Sequence, residues 1–330
     1  MDLPTLAGIE EAEGRIRPHL PETPLVRSEI LSRAIGADVW LKLETVSPIA
    51  SFKLRGALAA VSRAMAAGEI ASACTSSTGN HGQGVAYAAR LLGLPAEIFL
   101  PAAPNPVKRA MIEAFGGRTR AVGHDLDAAK AEAIAYAADA GALFVDDGES
   151  LDLMEGAGTL GLEAARALPG IDAIFVPMGS GTLATGVATA AKALQPGVKV
   201  IAVQAKGAPA MVESFHAGRA IERPAESTAD GLICRVPAAR ALAGLLAAVD
   251  DAMTCTDAQL LAGVRTLAEC AHHLVEPAGA AGLAAAWAGR GALAGKRVVL
   301  ILTGANITGD QLAAALAEPP LFTLEQAMAG

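Results

Sequence analysis

Short apolar runs alternate along this chain with longer segments in which apolar positions recur every three or four residues. We predict a strand in each short run: 38–44, 70–76, 96–101, 118–123, 142–147, 172–178, 198–204 and 297–304. The longer segments predict helices at 52–68, 80–93, 106–116, 125–141, 154–168, 183–194, near 211 and at 309–317. Strands that alternate with helices in this way form right-handed βαβ units. The pattern therefore predicts an α/β fold built on mostly parallel sheets.

Length and composition favour a large globular protein with two domains. The chain has 330 residues, of which 52% are hydrophobic and 18% are charged, so it can bury a sizeable core. No change of composition marks a linker, and we expect domains that share crossings of the chain. The net charge of -8 argues against a nucleic-acid-binding protein and against docking on anionic membranes.

The first residues and the cysteines bear on where the protein works. Residues 1–20 lack the apolar stretch of a secretory signal, and no run of about 18 apolar residues predicts a membrane-spanning helix. The four cysteines lie far apart and lack the spacing of metal ligands: Cys74, Cys234, Cys255 and Cys270. We therefore expect a cytoplasmic protein with reduced, mostly buried thiols and no bound metal.

Lys53 lies at the start of the helix that follows the first predicted strand. Ser51 is a good N-cap residue, so we expect the helix to begin at Phe52 and to hold Lys53 in its first turn. The helix dipole disfavours a cation there, and the apolar neighbours reduce its hydration. Both effects favour the neutral amine that Schiff-base formation or proton abstraction requires. Taken alone, the position is more typical of a solvated surface charge.

Three loops that follow predicted strands could bind a polar ligand. Loops 75–84 and 177–186 place glycines and hydroxyl side chains directly before a helix, where backbone N–H groups converge, and loop 302–309 adds Thr303. Each loop alone is also compatible with an ordinary cap or turn. Ala184 and Gln204 stand where a dinucleotide site needs a glycine and an acidic residue, which weakens the case for a nicotinamide dehydrogenase.

Five segments, taken in order, carry a family resemblance. They are Ser51-Phe52-Lys53-Leu54-Arg55-Gly56-Ala57, Ser77-Thr78-Gly79-Asn80-His81, Gly179-Ser180-Gly181-Thr182, Glu276-Pro277-Ala278-Gly279-Ala280 and Thr303-Gly304-Ala305-Asn306. Together they resemble the fold-type II pyridoxal-phosphate enzymes, most nearly the serine/threonine dehydratases and serine racemases. Each motif is weak alone, but five in order across residues 51–306 are specific. The resemblance implies two domains of the tryptophan synthase β-like type, each an open, mostly parallel twisted sheet flanked by helices.

The resemblance implies which residues hold the cofactor, pyridoxal 5′-phosphate. Lys53 would form a Schiff base with it and later act as the base on the substrate Cα, and Phe52 would pack near the ring. Asn80 would hydrogen-bond the ring hydroxyl, and Thr303 would face the pyridine nitrogen. The phosphate would be held by Gly179, Ser180, Gly181 and Thr182.

The resemblance also implies a reaction on an amino-acid substrate. Its carboxylate would be surrounded by Ser77, Thr78, Asn80 and His81. Because the Thr303 hydroxyl cannot keep the ring nitrogen protonated as a carboxylate would, β-elimination is favoured over transamination. The implied enzyme is a lyase that removes the β-hydroxyl and amino groups of a β-hydroxy amino acid such as serine or threonine. The alternative is a racemase, since the Thr78 hydroxyl could reach the opposite face of Cα.

Domain boundaries and assembly follow from the same resemblance. Residues 1–74 and 148–330 would form a large cofactor-binding domain, residues 75–147 a small domain that closes over the substrate, and two chains a homodimer. Two departures from the family pattern stand out. The usual Thr-Gly before Ser51 is Ile49-Ala50, and segment 204–210 has no carboxylate for the divalent cation that some relatives bind.

Overall fold

The computed structural model describes residues 1–68, 70–102 and 106–329, in which strands and helices alternate. The strands are β1 (Leu25–Arg27), β2 (Asp38–Leu43), β3 (Ser72–Ser76), β4 (Ala96–Leu100), β5 (Arg118–Ala121), β6 (Ala142–Phe144), β7 (Ala173–Pro177), β8 (Lys199–Ala205), β9 (Asp251–Cys255) and β10 (Arg297–Leu302). The helices are α1 (Leu6–Ile16), α2 (Glu29–Ile35), α3 (Lys53–Ala66), α4 (Asn80–Leu91), α5 (Pro106–Ala114), α6 (Leu126–Ala140), α7 (Leu151–Ala167), α8 (Thr182–Leu194), α9 (Ala210–Ala217), α10 (Ala239–Ala248), α11 (Asp257–Ala271), α12 (Ala281–Ala288), α13 (Gly309–Ala317) and α14 (Leu324–Ala329).

The described strands form two sheets that are almost wholly parallel. The larger has the order β1-β2-β10-β7-β8-β9, and its one antiparallel pair is β1 with β2 at an edge. The smaller has the order β5-β4-β3-β6 and is parallel throughout. The predicted α/β class with mostly parallel sheets is therefore confirmed.

The smaller sheet begins at Ser72 and ends at Phe144. These limits lie close to the segment 75–147 that the sequence predicts as a separate domain, and the domain boundaries stay a prediction. The chain enters the smaller sheet through α3 and leaves it through α7. These two helices touch backbone to backbone, since a Cβ atom on Gly156 would lie 2.7 Å from Cα of Gly56.

The core of the larger sheet lies on both of its faces. Along β10, Val298, Leu300 and Leu302 face one apolar layer, whereas Val299 and Ile301 face the other. Successive side chains of a strand point to opposite faces, so a continuous apolar run is what a doubly covered parallel strand requires. Two of the loops singled out in the sequence follow β7 and β10 of this sheet, and the third follows β3 of the smaller sheet.

The first turn of α3 differs from the prediction by one residue. The helix begins at Lys53, and Phe52 occupies the N-cap position without a side-chain hydrogen bond. Ser51 Oγ accepts a bond of 3.4 Å from the backbone N–H of Lys53, but Ser51 itself pairs with Gly304 in an isolated bridge. The bridge to the loop after β10 thus takes the place of the expected cap.

Three further features expected from the sequence concern membrane-spanning helices, cysteines and metal ligands. No helix in the described ranges is long and apolar enough to cross a bilayer. Their four cysteines are free; Cys74, Cys255 and Cys270 are buried, and Cys234 is half-buried. In the same ranges, no group of three or more His, Cys, Asp or Glu residues is arranged to hold a metal ion.

Candidate active site

A cavity of about 780 Å³ lies at the carboxyl ends of strands from both sheets. Its volume is that of a small-molecule site, and its position is the usual one in open α/β sheets. The predicted site residues that line it are Phe52, Lys53, Ser77, Thr78, Asn80, His81, Gly179, Ser180, Gly181 and Thr303. Thr182 lines a narrow adjoining space together with Phe52 and Lys53. The structure therefore brings the predicted residues together, while their individual roles stay predictions.

The Lys53 side chain is only 18% exposed and makes an ion pair with Asp147. Its Nζ lies 2.5 Å from Asp147 Oδ2 and 5.2 Å from the centroid of the Phe52 ring. This environment rules out a solvated surface lysine. The neutral amine expected from the sequence stays a prediction for the protein with its cofactor.

Asp147 is a site residue that the sequence reasoning missed. It follows β6, and its Oδ1 accepts hydrogen bonds from Ser180 Oγ at 3.2 Å and from Thr182 Oγ1 at 3.5 Å. Burial works to raise the pKa of Asp147, but Lys53, His81 and the hydrogen bond from Ser180 together outweigh it, so this pKa lies well below its ordinary value. The carboxylate is therefore ionised. Its position at the end of the predicted strand 142–147 was the available signal.

Two helices begin at the cavity without a side-chain cap. Gly79 precedes α4 and Gly181 precedes α8, and neither N-terminus receives a side-chain hydrogen bond. Free backbone N–H groups and the dipole of each helix favour an anion at these ends. Gly181 has a φ of +97°, in the left-handed region that glycine adopts without strain. The site thus offers two separate anion-binding ends.

Asn80 belongs to a hydrogen-bonded chain that crosses the cavity. Its Nδ2 donates to Glu276 Oε1 at 2.7 Å, and its Oδ1 accepts from Asn306 Nδ2 at 2.7 Å. Burial raises the pKa of Glu276 to about 7, although the Asn80 bond and the charges of Lys108 and Lys53 oppose that rise. Glu276 and Asn306 were noticed in the sequence only as parts of motifs; the structure joins both to Asn80.

His81 faces the loop after β6. Its Nε2 lies 3.0 Å from the Val145 carbonyl, and its buried Nδ1 has no hydrogen-bond partner among the described residues. Burial lowers the pKa of His81, which favours the neutral ring. A neutral ring that donates through Nε2 has an acceptor at Nδ1 and cannot donate there to a carboxylate. The predicted contact of His81 with substrate would therefore use its backbone N–H.

The chain is similar to known proteins over nearly its whole length. A family model described as pyridoxal-phosphate dependent enzyme matches residues 16–304. An L-threonine ammonia-lyase from Geobacter sulfurreducens is 34% identical over 304 residues, which cover 91% of this chain and 75% of that protein. A catabolic L-threonine dehydratase from Staphylococcus aureus is 32% identical over 308 residues, covering 92% of this chain and 89% of the relative.

Solved structures share the architecture as well. The structure of maize serine racemase superposes with a TM-score of 0.89 at 29% identity, and the match covers 96% of this chain and 97% of that one. A threonine deaminase from Solanum lycopersicum, in its processed form, superposes with a TM-score of 0.86 at 28% identity, covering 94% of this chain and 92% of that one.

Proposed function

The chain belongs to the fold-type II pyridoxal-phosphate dependent enzymes, in the serine/threonine dehydratase family, and we propose that its substrate is a β-hydroxy amino acid such as serine or threonine. It is a lyase of the dehydratase type, and the proposed products are a 2-oxo acid and ammonia. The curated relatives named for threonine support this substrate, since each match covers more than nine-tenths of the chain.

The residues around the cavity fit pyridoxal 5′-phosphate, with one exception. Lys53 supplies a primary amine for the aldehyde, and the start of α8 supplies free N–H groups with the hydroxyls of Ser180 and Thr182 for the phosphate. Thr303 lines the same cavity. The exception is Asp147, whose carboxylate accepts from these same two hydroxyls.

When bound, the cofactor supplies an electron sink for the electron pair that remains at Cα when its proton departs. Lys53 would hold the cofactor through Nζ and, as a free amine, accept the Cα proton. The N-terminus of α4, with Ser77 and Thr78, would bind and orient the substrate carboxylate. Asn80 would hold the ring hydroxyl from the chain that links it to Glu276.

Thr303 would determine which reaction follows proton loss. It directly follows β10, is almost fully buried and lines the cavity. A hydroxyl does not keep a ring nitrogen protonated as a carboxylate does. Departure of the β-hydroxyl as Cα is deprotonated is then favoured over a long-lived carbanion, and this supports elimination.

The observation that carries the proposal is a mostly buried lysine in one cavity with two uncapped helix N-termini. The purified protein should release a 2-oxo acid from serine or threonine, whereas Lys53→Ala should lose this activity and the lysine-linked visible absorption. A screen that adds 3-hydroxyaspartate and 3-phenylserine defines the β-substituent. Wild-type protein without the absorption band would refute the proposal.

Racemisation is the second candidate, and Thr78 supports it. Thr78 lines the cavity, and the superposition on maize serine racemase covers 96% of the chain. If Thr78 moves a proton on the second face of Cα, Thr78→Val should abolish formation of D-serine and Thr78→Ser should retain it. Chiral chromatography separates this activity from 2-oxo acid release. Inversion without 2-oxo acid would make racemisation the main reaction.

The domain division, homodimer and cytoplasmic location are also proposed. Hydrogen bonds across the cavity, such as Asn306 to Asn80, support a unit at 75–147 that closes over the substrate. The homodimer and the location are supported by the family membership alone. Light scattering of the purified protein tests the dimer, and fractionation of the source cells tests the location.

A further inference from the structure

Asp147 accepts hydrogen bonds from three side chains that the proposed function assigns to the cofactor. Its Oδ2 accepts from Lys53 Nζ at 2.5 Å, and its Oδ1 accepts from Ser180 Oγ at 3.2 Å and Thr182 Oγ1 at 3.5 Å. One carboxylate therefore engages the lysine and both hydroxyls of the loop before α8.

The backbone around Asp147 is closely packed. Gly148 has a φ of +125°, and a Cβ atom there would lie 2.9 Å from Ala238 Cβ and 3.7 Å from Ser180 Cβ. The turn after β6 thus packs against the loop before α8 and against the segment that leads into α10. We therefore expect Asp147 to leave its partners by rotating its side chain.

The charged and titratable groups near Asp147 come from three elements. Lys53 approaches from α3, His81 from α4, and Cys234 from the segment between α9 and α10. Burial works to raise the pKa of Asp147, but its ion pair with Lys53, together with His81 and Ser180, lowers that pKa well below its ordinary range. Asp147 is consequently a full negative charge beside the loop before α8.

A phosphate dianion and this carboxylate cannot share the same donors without repulsion. Two anions within a few ångströms of each other disfavour one another, most strongly where water is excluded. We propose that Asp147 is a built-in competitor of the cofactor, which holds Lys53, Ser180 and Thr182 in the unloaded protein and must release all three when the cofactor binds. The inference rests on the proposed function, because it takes the phosphate end of the cavity to be the cofactor's.

We therefore expect the site to bind the cofactor more weakly than the same site would without the Asp147 carboxylate. Asp147 stabilises the unloaded site through its ion pair, and this stabilisation is lost on loading. A residue that only oriented Lys53 would have the opposite effect, since its removal would weaken binding. Replacing Asp147 should therefore raise the affinity for the cofactor if Asp147 competes with it, and lower that affinity if Asp147 only orients Lys53.

The test uses full-length protein stripped of cofactor and titrated by calorimetry with pyridoxine 5′-phosphate, which has the ring and phosphate but no aldehyde. Asp147→Asn and Asp147→Ser should bind this probe about tenfold tighter than wild type. The matched control is Asp146→Asn, which removes the neighbouring carboxylate paired with Lys130 at 2.9 Å, and its affinity should stay within about twofold of wild type. Pyridoxine without phosphate should show no such gain.

Unloaded Asp147→Asn should also melt at a lower temperature than unloaded wild type, while its melting temperature should rise more on addition of the probe. Reloading with pyridoxal 5′-phosphate and recovery of the visible absorption show that the stripped chains keep their fold. Unchanged or weaker binding by both Asp147 variants would overturn the inference and leave the proposed function standing. Failure of every protein, wild type included, to bind pyridoxal 5′-phosphate would overturn the proposed function itself.

Discussion

Glu276 is a buried carboxyl whose protonation should set part of the pH dependence of stability. Burial raises its pKa to about 7 from an ordinary value of 4.5. The unfolded chain binds this proton less tightly than the folded one, so the stability that Glu276 contributes is complete below pH 4.5 and is lost as the pH rises through 7.

Glu276→Gln should remove this dependence in the unloaded protein. Glutamine keeps an acceptor for Asn80 and carries no charge, so the variant should gain stability over wild type as the pH rises from about 4.5 to about 8. The gain should reach up to about 3 kcal/mol. Urea denaturation across this pH range measures it, with Glu149→Gln as the control for removing a carboxylate from the same cavity. If the unfolding free energies of wild type and Glu276→Gln change with pH in parallel, the raised pKa of Glu276 is contradicted.

Ala50 is strained where the family pattern has glycine. Its φ is +51°, in the left-handed region where a Cβ atom costs about 1–2 kcal/mol. Ala50→Gly should relieve this strain and raise the free energy of unfolding by up to about 1 kcal/mol, after the entropy that glycine adds to the unfolded chain. Chemical denaturation measures the change. Ala64→Gly, inside α3, should instead lower the free energy of unfolding by about 1 kcal/mol. If both substitutions lower it, Ala50 is not strained.

At the scale of elements, α3 is fixed by a buried cluster of charges. Arg55 lies two residues after Lys53, is fully buried, and donates to Glu44 after β2 and to Glu163 of α7. Lys42 of β2 donates to Glu163 as well, at 2.5 Å. The cluster ties the first turn of α3 to the larger sheet and to α7, and so determines where Lys53 enters the cavity.

Arg55→Ala should destabilise the protein by about 3–5 kcal/mol, because it leaves the buried Glu44 without its ion-pair partner and removes one of the cations paired with Glu163. The matched control is Arg63→Ala in the same helix, where a half-exposed guanidinium pairs with Asp152, and the expected loss is no more than about 1 kcal/mol. Urea denaturation compares the two. Equal losses would show that the buried cluster does not hold α3.

The elements around the site were predictable because their signals are local. An apolar run such as 297–304 predicts a buried strand, and glycines with hydroxyl residues before a helix predict an anion site. The edge strands β1 and β9 were missed because they are short and lack a continuous apolar run. The contacts of Asp147 and Arg55 were not predicted, for another reason. Their partners lie 94 and 108 residues away in sequence, at Lys53 and Glu163, and only the fold brings them together.

At the scale of the whole molecule, ion pairs join the two sides of the cavity. Arg235, between α9 and α10, pairs with Asp127 of α6 at 2.7 Å, and both residues line the cavity. Lys108 of α5 forms an ion pair with Asp230, and these two residues also line the cavity. These contacts connect the smaller-sheet side with the larger one over the site, and they suit a closure step.

Arg235→Gln should raise KM for the amino-acid substrate severalfold while leaving the unfolding free energy nearly unchanged, because exposed ion pairs add little stability. Salt should raise KM in wild type and have less effect in the variant, since added ions screen the pair. Steady-state kinetics at several salt concentrations measure this. The control is Arg109→Gln, whose partner Glu113 lies in the same helix. Identical salt responses of Arg235→Gln and wild type would argue against closure through this pair.

The central claim is that Lys53 carries the cofactor, and reduction of the purified protein with borohydride tests it most directly. The reduction makes the lysine–cofactor link permanent, so mass spectrometry of the digested chain identifies the lysine that holds it. We predict the pyridoxyl group on the peptide that contains Lys53 and on no other lysine. A pyridoxyl group on a different lysine, or none on any peptide of protein saturated with pyridoxal 5′-phosphate, would contradict the account.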